Sequence, residues 1–163
     1  MHTKEAFQAA MNMSDMVLTT YVSDLSDAEL MLRPGPGCNH LAWQLGHLIA
    51  AEVSLLNDAC PGKGFALPAG FAEAHAKENS KSDDASQFKT KQEYLDLYKN
   101  VRASTMAAVN GFSDDQLDGP TPERMRAFFP KVGEYFMLIA THPLMHAGQF
   151  VVVRRKLGKP ILM

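Results

Sequence analysis

The sequence predicts an all-α protein, a four-helix bundle with a long crossover connection between helices two and three. Four segments repeat apolar residues at the spacings of three and four that place them on one face of a helix. None of the 163 residues lies in a segment with the strict alternation of a half-buried strand. A chain of this length supports one sizeable core, so we expect a single domain over residues 1–163.

Capping residues and helix breakers place the ends of the four helices. They are expected near residues 3–23, 39–60, 90–111 and 131–157. Asn39 is a favourable N-cap for the second helix, and Thr90 forms a T-x-x-E capping box with Glu93 at the start of the third. The fourth helix is apolar nearly all round, so we expect it in the middle of the bundle or against a second subunit.

The connection over residues 61–88 is long for a compact domain and suits a crossover, a lid or a pocket wall. A short helix is expected within residues 72–79. Elsewhere, L-S-D-A-E-L at residues 25–30 resembles F-S-D-D-Q-L at residues 112–117. This likeness indicates either two capped turns of a common type or two helix-loop-helix halves related by a pseudo-twofold axis.

Composition argues against several classes of protein. The formal charge is -2 and the densest basic run is the short segment 154–156, so no nucleic-acid partner is expected. We also expect no membrane span, because no uninterrupted apolar run has the necessary length. The N-terminus lacks the apolar core of a signal peptide, so a cytoplasmic location is predicted. Cys38 and Cys60 have no C-x-x-C spacing and are expected to be free thiols.

The segment T-H-P-L-M-H-A-G-Q-F places His142 and His146 four residues apart in the apolar fourth helix. Residues at this spacing differ by about 40° around a helix, so both imidazoles project from one face and can converge on one ion. By itself this spacing is weak evidence for a metal site, because two histidines packed in a core segment often show it.

A third histidine, His47, lies in the apolar segment L-A-W-Q-L-G-H-L-I-A-A-E of the second helix. Buried ring nitrogens need partners, and one shared divalent cation would provide a partner for all three histidines. Three protein ligands leave coordination positions open for water or substrate, as in catalytic sites. Zinc is the first expectation and nickel the second, with iron, copper or manganese as alternatives.

Four further side chains are candidates for the surroundings of this site. His40 is two helical turns from His47, about 10.5 Å, which is too far to share an ion, so it is expected at the pocket mouth or as a helix cap. Trp43 and Gln44 lie on the same side of the helix as His47 and are predicted to pack in the core or wall the pocket. Gln149 follows the pair and is expected to bond either a ligand histidine or a neighbouring helix.

Other polar residues have weaker claims on the site. Glu52 lies about 140° from His47 around the helix, which makes it a poor ligand but a candidate hydrogen-bond acceptor across the bundle. His2 and His75 are expected to be solvated. Pro143 removes a backbone donor from the fourth helix, which either bends the helix around the core or aims His142 toward His146.

The segments P-G-P-G-C-N-H-L-A-W-Q-L-G-H-L-I-A-A-E and H-P-L-M-H-A-G-Q-F-V-V-V-R-R-K-L-G-K-P resemble the DinB-like superfamily of damage-inducible proteins, which includes bacterial thiol S-transferases. The resemblance covers nearly the whole chain in helix order. It implies a four-helix bundle with a divalent metal on His47, His142 and His146, a homodimer, and a metal that activates a low-molecular-weight thiol. Pro143 departs from the expected pattern.

Together these observations favour a metal-dependent enzyme that activates water or a low-molecular-weight thiol against a small-molecule substrate, as a hydrolase or a thiol transferase. No residue is assigned a catalytic role beyond metal binding. One alternative is a non-catalytic metal- or ligand-binding bundle in a stress response. Another is a structural set of buried histidines without an ion.

Overall fold

A computed structural model of the chain describes residues 2–161. In this range the backbone forms eight α-helices: α1 Thr3–Val22, α2 Asp27–Leu30, α3 Leu41–Ala59, α4 Phe71–Ala74, α5 Lys91–Gly111, α6 Asp114–Asp118, α7 Glu123–Arg126 and α8 Val132–Lys156. The long helices α1, α3, α5 and α8 coincide with the four predicted segments to within a few residues. The predicted all-α fold is therefore confirmed.

The four long helices form the bundle. Helix α1 packs against α8 and α5, and α3 packs against the same two helices. One apolar cluster includes Leu18, Leu48, Tyr94 and Phe150, which are at most 2% exposed. A second cluster includes Phe7, Leu56, Val109 and Phe136 near the other end of the same helices.

A buried polar layer lies between the two apolar clusters. Its members come from all four long helices: Ser14 on α1, Glu52 on α3, Arg102 and Thr105 on α5, and the Ile139 and Ala140 carbonyl groups on α8. Arg102 and Glu52 are each 4% exposed and form an ion pair with a 3.0 Å separation between Nη1 and Oε2. Burial of charge is tolerated here because each charged group has several partners.

The capping predictions are confirmed at α5 and need correction at α3. The Thr90 hydroxyl accepts from the Glu93 amide, and the Glu93 carboxylate accepts from the Thr90 amide, as predicted. Helix α3 begins after His40, whose Nδ1 accepts from the Trp43 amide at 3.0 Å. Asn39 is therefore not the N-cap, because the residue after it provides the acceptor.

The two similar loops each form a short capped helix. Ser26 caps α2 together with Glu29, and Ser113 caps α6 together with Gln116. The recurring S-x-x-E/Q pattern is thus explained by two capping boxes. The relation of the two halves by a pseudo-twofold axis remains a prediction.

The connection between α3 and α5 contains α4 and two short 3-10 turns, and it is held to the bundle by buried contacts. The prediction that His75 is solvated is wrong, because the side chain is 2% exposed. Its Nδ1 lies 2.8 Å from the Phe71 carbonyl oxygen, and its Nε2 lies 2.7 Å from the Tyr94 hydroxyl. His75 therefore anchors the linker to the bundle, although its neighbours in the sequence are mostly polar.

The close contact between His75 and Gly46 of α3 gives a testable prediction. A Cβ atom at position 46 would lie 2.0 Å from Cδ2 of His75, so Gly46→Ala must displace the buried ring. We expect the free energy of unfolding to fall by about 1–3 kcal/mol. Gly148→Ala on α8 is the matched control, because nothing lies within 4 Å of its added methyl group. Urea denaturation showing equal stability for the two variants would contradict the contact.

Helix α8 is the one described helix that is long and apolar enough to cross a membrane by length and composition. The sequence was expected to contain no uninterrupted apolar run long enough to span a membrane. Helix α8 meets the criterion of length and composition although two histidines and a proline interrupt its apolar residues. In the bundle it packs along α1 and α3. The core helix of a soluble protein satisfies the same criterion.

Candidate metal centre

The three predicted histidines come together between α3 and α8. One ring nitrogen of each of His47, His142 and His146 lies within 4.8 Å of the others. The ring centroids are 5.7 Å apart for His47 and His142, 5.5 Å for His47 and His146, and 5.0 Å for His142 and His146. All three side chains are partly buried. The spacing of four within α8 and the packing of α3 on α8 together produce this convergence.

Burial keeps the three rings uncharged. It lowers the pKa of His47 and, together with the neighbouring His47, lowers the pKa of His142 to about 4. The pKa of His146 falls to about 3, through burial and the proximity of His142 and His47. At neutral pH each ring therefore keeps a lone pair free to bind a cation.

A hydrogen-bond chain selects which nitrogen of His146 is free. The side-chain amide nitrogen of Gln44 donates to the Asn39 carbonyl oxygen at 2.7 Å, so the amide oxygen of Gln44 faces His146. That oxygen lies 2.9 Å from Nδ1 of His146 and requires a proton on it. Nε2 of His146 then carries the lone pair. Gln44 therefore contacts one histidine of the cluster and would fix the orientation of that ring in a metal site.

Trp43 holds His47 from one side. The indole and imidazole rings are stacked, with centroids 4.8 Å apart and an interplanar angle of 8°. The indole is 5% exposed, and its Nε1 donates to the Ala76 carbonyl oxygen of the linker at 3.2 Å. Trp43 therefore belongs to the core and also restricts the rotation of His47. The hydrogen bond to the linker in turn fixes the position of the indole.

His40 serves as a helix cap and as a second anchor for the linker. Its Nδ1 accepts from the Trp43 amide, so Nε2 carries the proton and donates to the Ser82 carbonyl oxygen at 3.1 Å. The ring is fully buried. Burial, with a smaller contribution from Arg33, lowers the pKa of His40 to about 4.

This lowered pKa predicts a pH-dependent contribution to stability. Because the unfolded chain takes up a proton near pH 6.5 and folded His40 does not, its contribution is lost as the pH falls from 6.5 toward 4. His40→Asn keeps an N-cap acceptor but does not titrate. We expect the stability difference between wild type and H40N to narrow by about 2 kcal/mol between pH 7 and pH 4.5 in urea denaturation. A stability difference between wild type and H40N that does not change with pH would show that His40 is not held neutral in the folded protein.

Two further residues were considered for the surroundings of the histidines, Gln149 and Glu52. Gln149 is exposed on α8. Glu52 faces the polar layer, where its carboxylate accepts from Arg102 and from the Thr105 hydroxyl, rather than accepting from a ligand histidine. Its position about 140° from His47 around α3 explains why it points elsewhere.

The residues fit a divalent transition metal. Neutral imidazoles suit zinc, nickel, iron and copper, and no carboxylate belongs to the cluster within residues 2–161. Two nitrogens on tetrahedral zinc stand about 3.4 Å apart, so modest rotations of the rings would bring three nitrogens from within 4.8 Å to ligand distance. Three ligands form an open site with room for a further ligand.

The bundle and the three-histidine cluster together define a helical protein with a candidate metal site. The DinB superfamily profile matches residues 11–150, and the chain belongs to this superfamily. The crystal structure of a conserved protein from Enterococcus faecalis is similar to the chain, with a TM-score of 0.69 and 17% identity over 98% of this chain and 99% of that one. That similarity shows the fold alone. Among curated proteins, none matches the chain.

Proposed function

We propose that the protein is a metal-dependent enzyme that activates a low-molecular-weight thiol or water for attack on a small electrophilic substrate. The observation that carries the proposal is the convergence of His47, His142 and His146 as three uncharged, partly buried side chains. When bound, a divalent ion lowers the pKa of a thiol or water molecule in its open position. Zinc is the proposed ion and nickel the next candidate.

Each residue around the ion has a defined task in this proposal. The three histidines bind through neutral nitrogens, and Gln44 keeps the His146 ring in the tautomer that offers Nε2. Trp43 packs flat on His47 and limits its rotation. The partly exposed rings leave the site accessible to a substrate from solvent.

The absence of a local carboxylate favours a thiol over water as the activated group. A general base beside the cluster would help to remove a proton from water, but none of the described carboxylates belongs to it. Glu52 is occupied by Arg102 and Thr105. A thiol is far more acidic than water and needs no such base. We therefore place thiol transfer ahead of hydrolysis.

Metal analysis followed by an activity panel tests the proposal. Protein purified without an affinity tag or nickel resin should contain about one equivalent of a divalent transition metal. With a low-molecular-weight thiol and a set of electrophiles, we expect turnover that stops on chelation and returns on addition of zinc. Stoichiometric metal without turnover would support the non-catalytic binding bundle instead. A metal-free protein would leave the histidines with a structural role.

The homodimer and the small-molecule partner rest on the family resemblance. Both remain predictions.

A further inference from the structure

The buried Arg102 side chain joins the two helices that carry the candidate metal ligands. Its Nη1 donates to Oε2 of Glu52 on α3 at 3.0 Å and to the Ile139 carbonyl oxygen on α8 at 3.2 Å. Its Nη2 donates to the Ala140 carbonyl oxygen at 3.3 Å. Glu52 follows His47 by five residues, and the two carbonyl groups lie in the turn before His142.

The partners of Arg102 use every N–H group that the guanidinium has. Nε donates to the Asp15 carboxylate at 2.6 Å, and Nη2 also donates to the Ser14 hydroxyl at 2.5 Å. Together with Glu52, the two carbonyl groups of α8 and the Met11 carbonyl oxygen, which lies 3.4 Å from Nη2, these acceptors leave none of the five donors without a partner. A planar group held in this way has little freedom to rotate or shift. The group is therefore a rigid connection and not a flexible surface charge.

Pro143 explains why a carbonyl group of α8 is free to accept from Arg102. In an uninterrupted helix the Ile139 oxygen would accept from the backbone N–H at position 143, but proline has none and its ring crowds that oxygen. Ile139 is 1% exposed, so water does not readily supply the missing donor. An unpaired buried carbonyl is costly, and Nη1 of Arg102 provides the donor that Pro143 lacks.

We propose that Arg102 is a positioning residue for the metal centre, and that Pro143 is the complementary part of the same device. The guanidinium holds the turn before His142 against α3. Because Pro143 has no N–H, the Ile139 carbonyl oxygen accepts from Arg102 and not from the backbone of its own helix. The position of His142 relative to His47 is thereby set by a contact beneath the site. This inference rests on the proposed metal site.

Cobalt binding to apo protein tests the inference with a readout other than activity. Arg102→Lys keeps a positive charge but loses the planar fork. We expect its Co²⁺ affinity to fall by about 10-fold or more, within the range found for residues that orient metal ligands, with a changed visible absorption spectrum. Arg154→Lys is the control, because Arg154 is also fully buried and pairs with Asp24 at the end of the same helix. It should lower the melting temperature but leave Co²⁺ affinity within about twofold.

Pro143→Ala provides a second, independent variant that keeps Arg102 and its ion pairs. The restored N–H lets the helix take up the Ile139 oxygen, so the fold should be retained while Co²⁺ affinity falls by several-fold and the spectrum changes. This variant decides the question if Arg102→Lys does not fold. Wild-type affinity and spectrum in Pro143→Ala or in folded Arg102→Lys would overturn the inference, as would an equal loss in Arg154→Lys. Failure of the wild-type protein to bind Co²⁺ would instead remove the metal site itself.

Discussion

Replacing His146 with alanine is expected to abolish stoichiometric metal binding. The variant loses the proposed ligand whose free nitrogen is selected by Gln44, and the two remaining histidines cannot form a three-ligand site. The loss of affinity should exceed the roughly 100-fold that marks the upper range for residues which merely orient ligands. Isothermal titration with Zn²⁺ on apo protein measures the change directly.

Two controls separate this result from a general effect on folding. His2→Ala removes an exposed histidine outside the cluster and should bind Zn²⁺ as the wild type does. The apo form of His146→Ala should keep its helical circular dichroism spectrum, because the ring is only partly buried. One equivalent of Zn²⁺ bound with wild-type affinity to His146→Ala would exclude this residue as a ligand.

Arg102→Met is expected to give the largest loss of stability. The substitution leaves the Glu52 carboxylate, 4% exposed, without its charged partner and takes the donor from the Ile139 carbonyl. Removal of one partner from a buried ion pair lowers the free energy of unfolding by about 3–5 kcal/mol. Urea denaturation of the apo protein monitored by circular dichroism measures this change.

The paired variant Arg102→Met with Glu52→Leu distinguishes an unpaired charge from simple loss of packing. Removing both charges should recover at least about 1 kcal/mol relative to Arg102→Met alone, because no buried carboxylate remains without a partner. A double variant less stable than the single one would mean that Glu52 stabilises the bundle independently of Arg102.

The main helices could be predicted from sequence because local signals specify them. Apolar spacing defines each long helix, and a capping box such as Thr90 with Glu93 marks its start. Helix α3 begins one residue later than an Asn39 cap predicts, because His40 is the cap and histidine is uncommon in that position. The burial of His75 could not be read locally, since its partners Gly46 and Tyr94 belong to other helices.

The three histidines of the candidate site were predictable for a different reason than the residues that support them. Histidines in apolar helices are conspicuous, and a spacing of four places two of them together. Arg102 gave no such signal, because a charged residue beside an apolar stripe normally lies at the surface. One clue was available: Pro143 within a buried helix implies a carbonyl that needs another donor. Which donor supplies it depends on how Arg102 of α5 reaches across the bundle to α8, which local sequence does not specify.

X-ray diffraction at the zinc absorption edge tests the central claim most directly. Crystals of untagged protein grown with zinc should give one strong anomalous peak about 2.0–2.1 Å from Nε2 of His146 and from one ring nitrogen each of His47 and His142. The Gln44 amide oxygen should still accept a hydrogen bond from Nδ1 of His146. Absence of a peak between these three rings, or a zinc ion bound by other residues instead, would contradict the assignment of a metal centre.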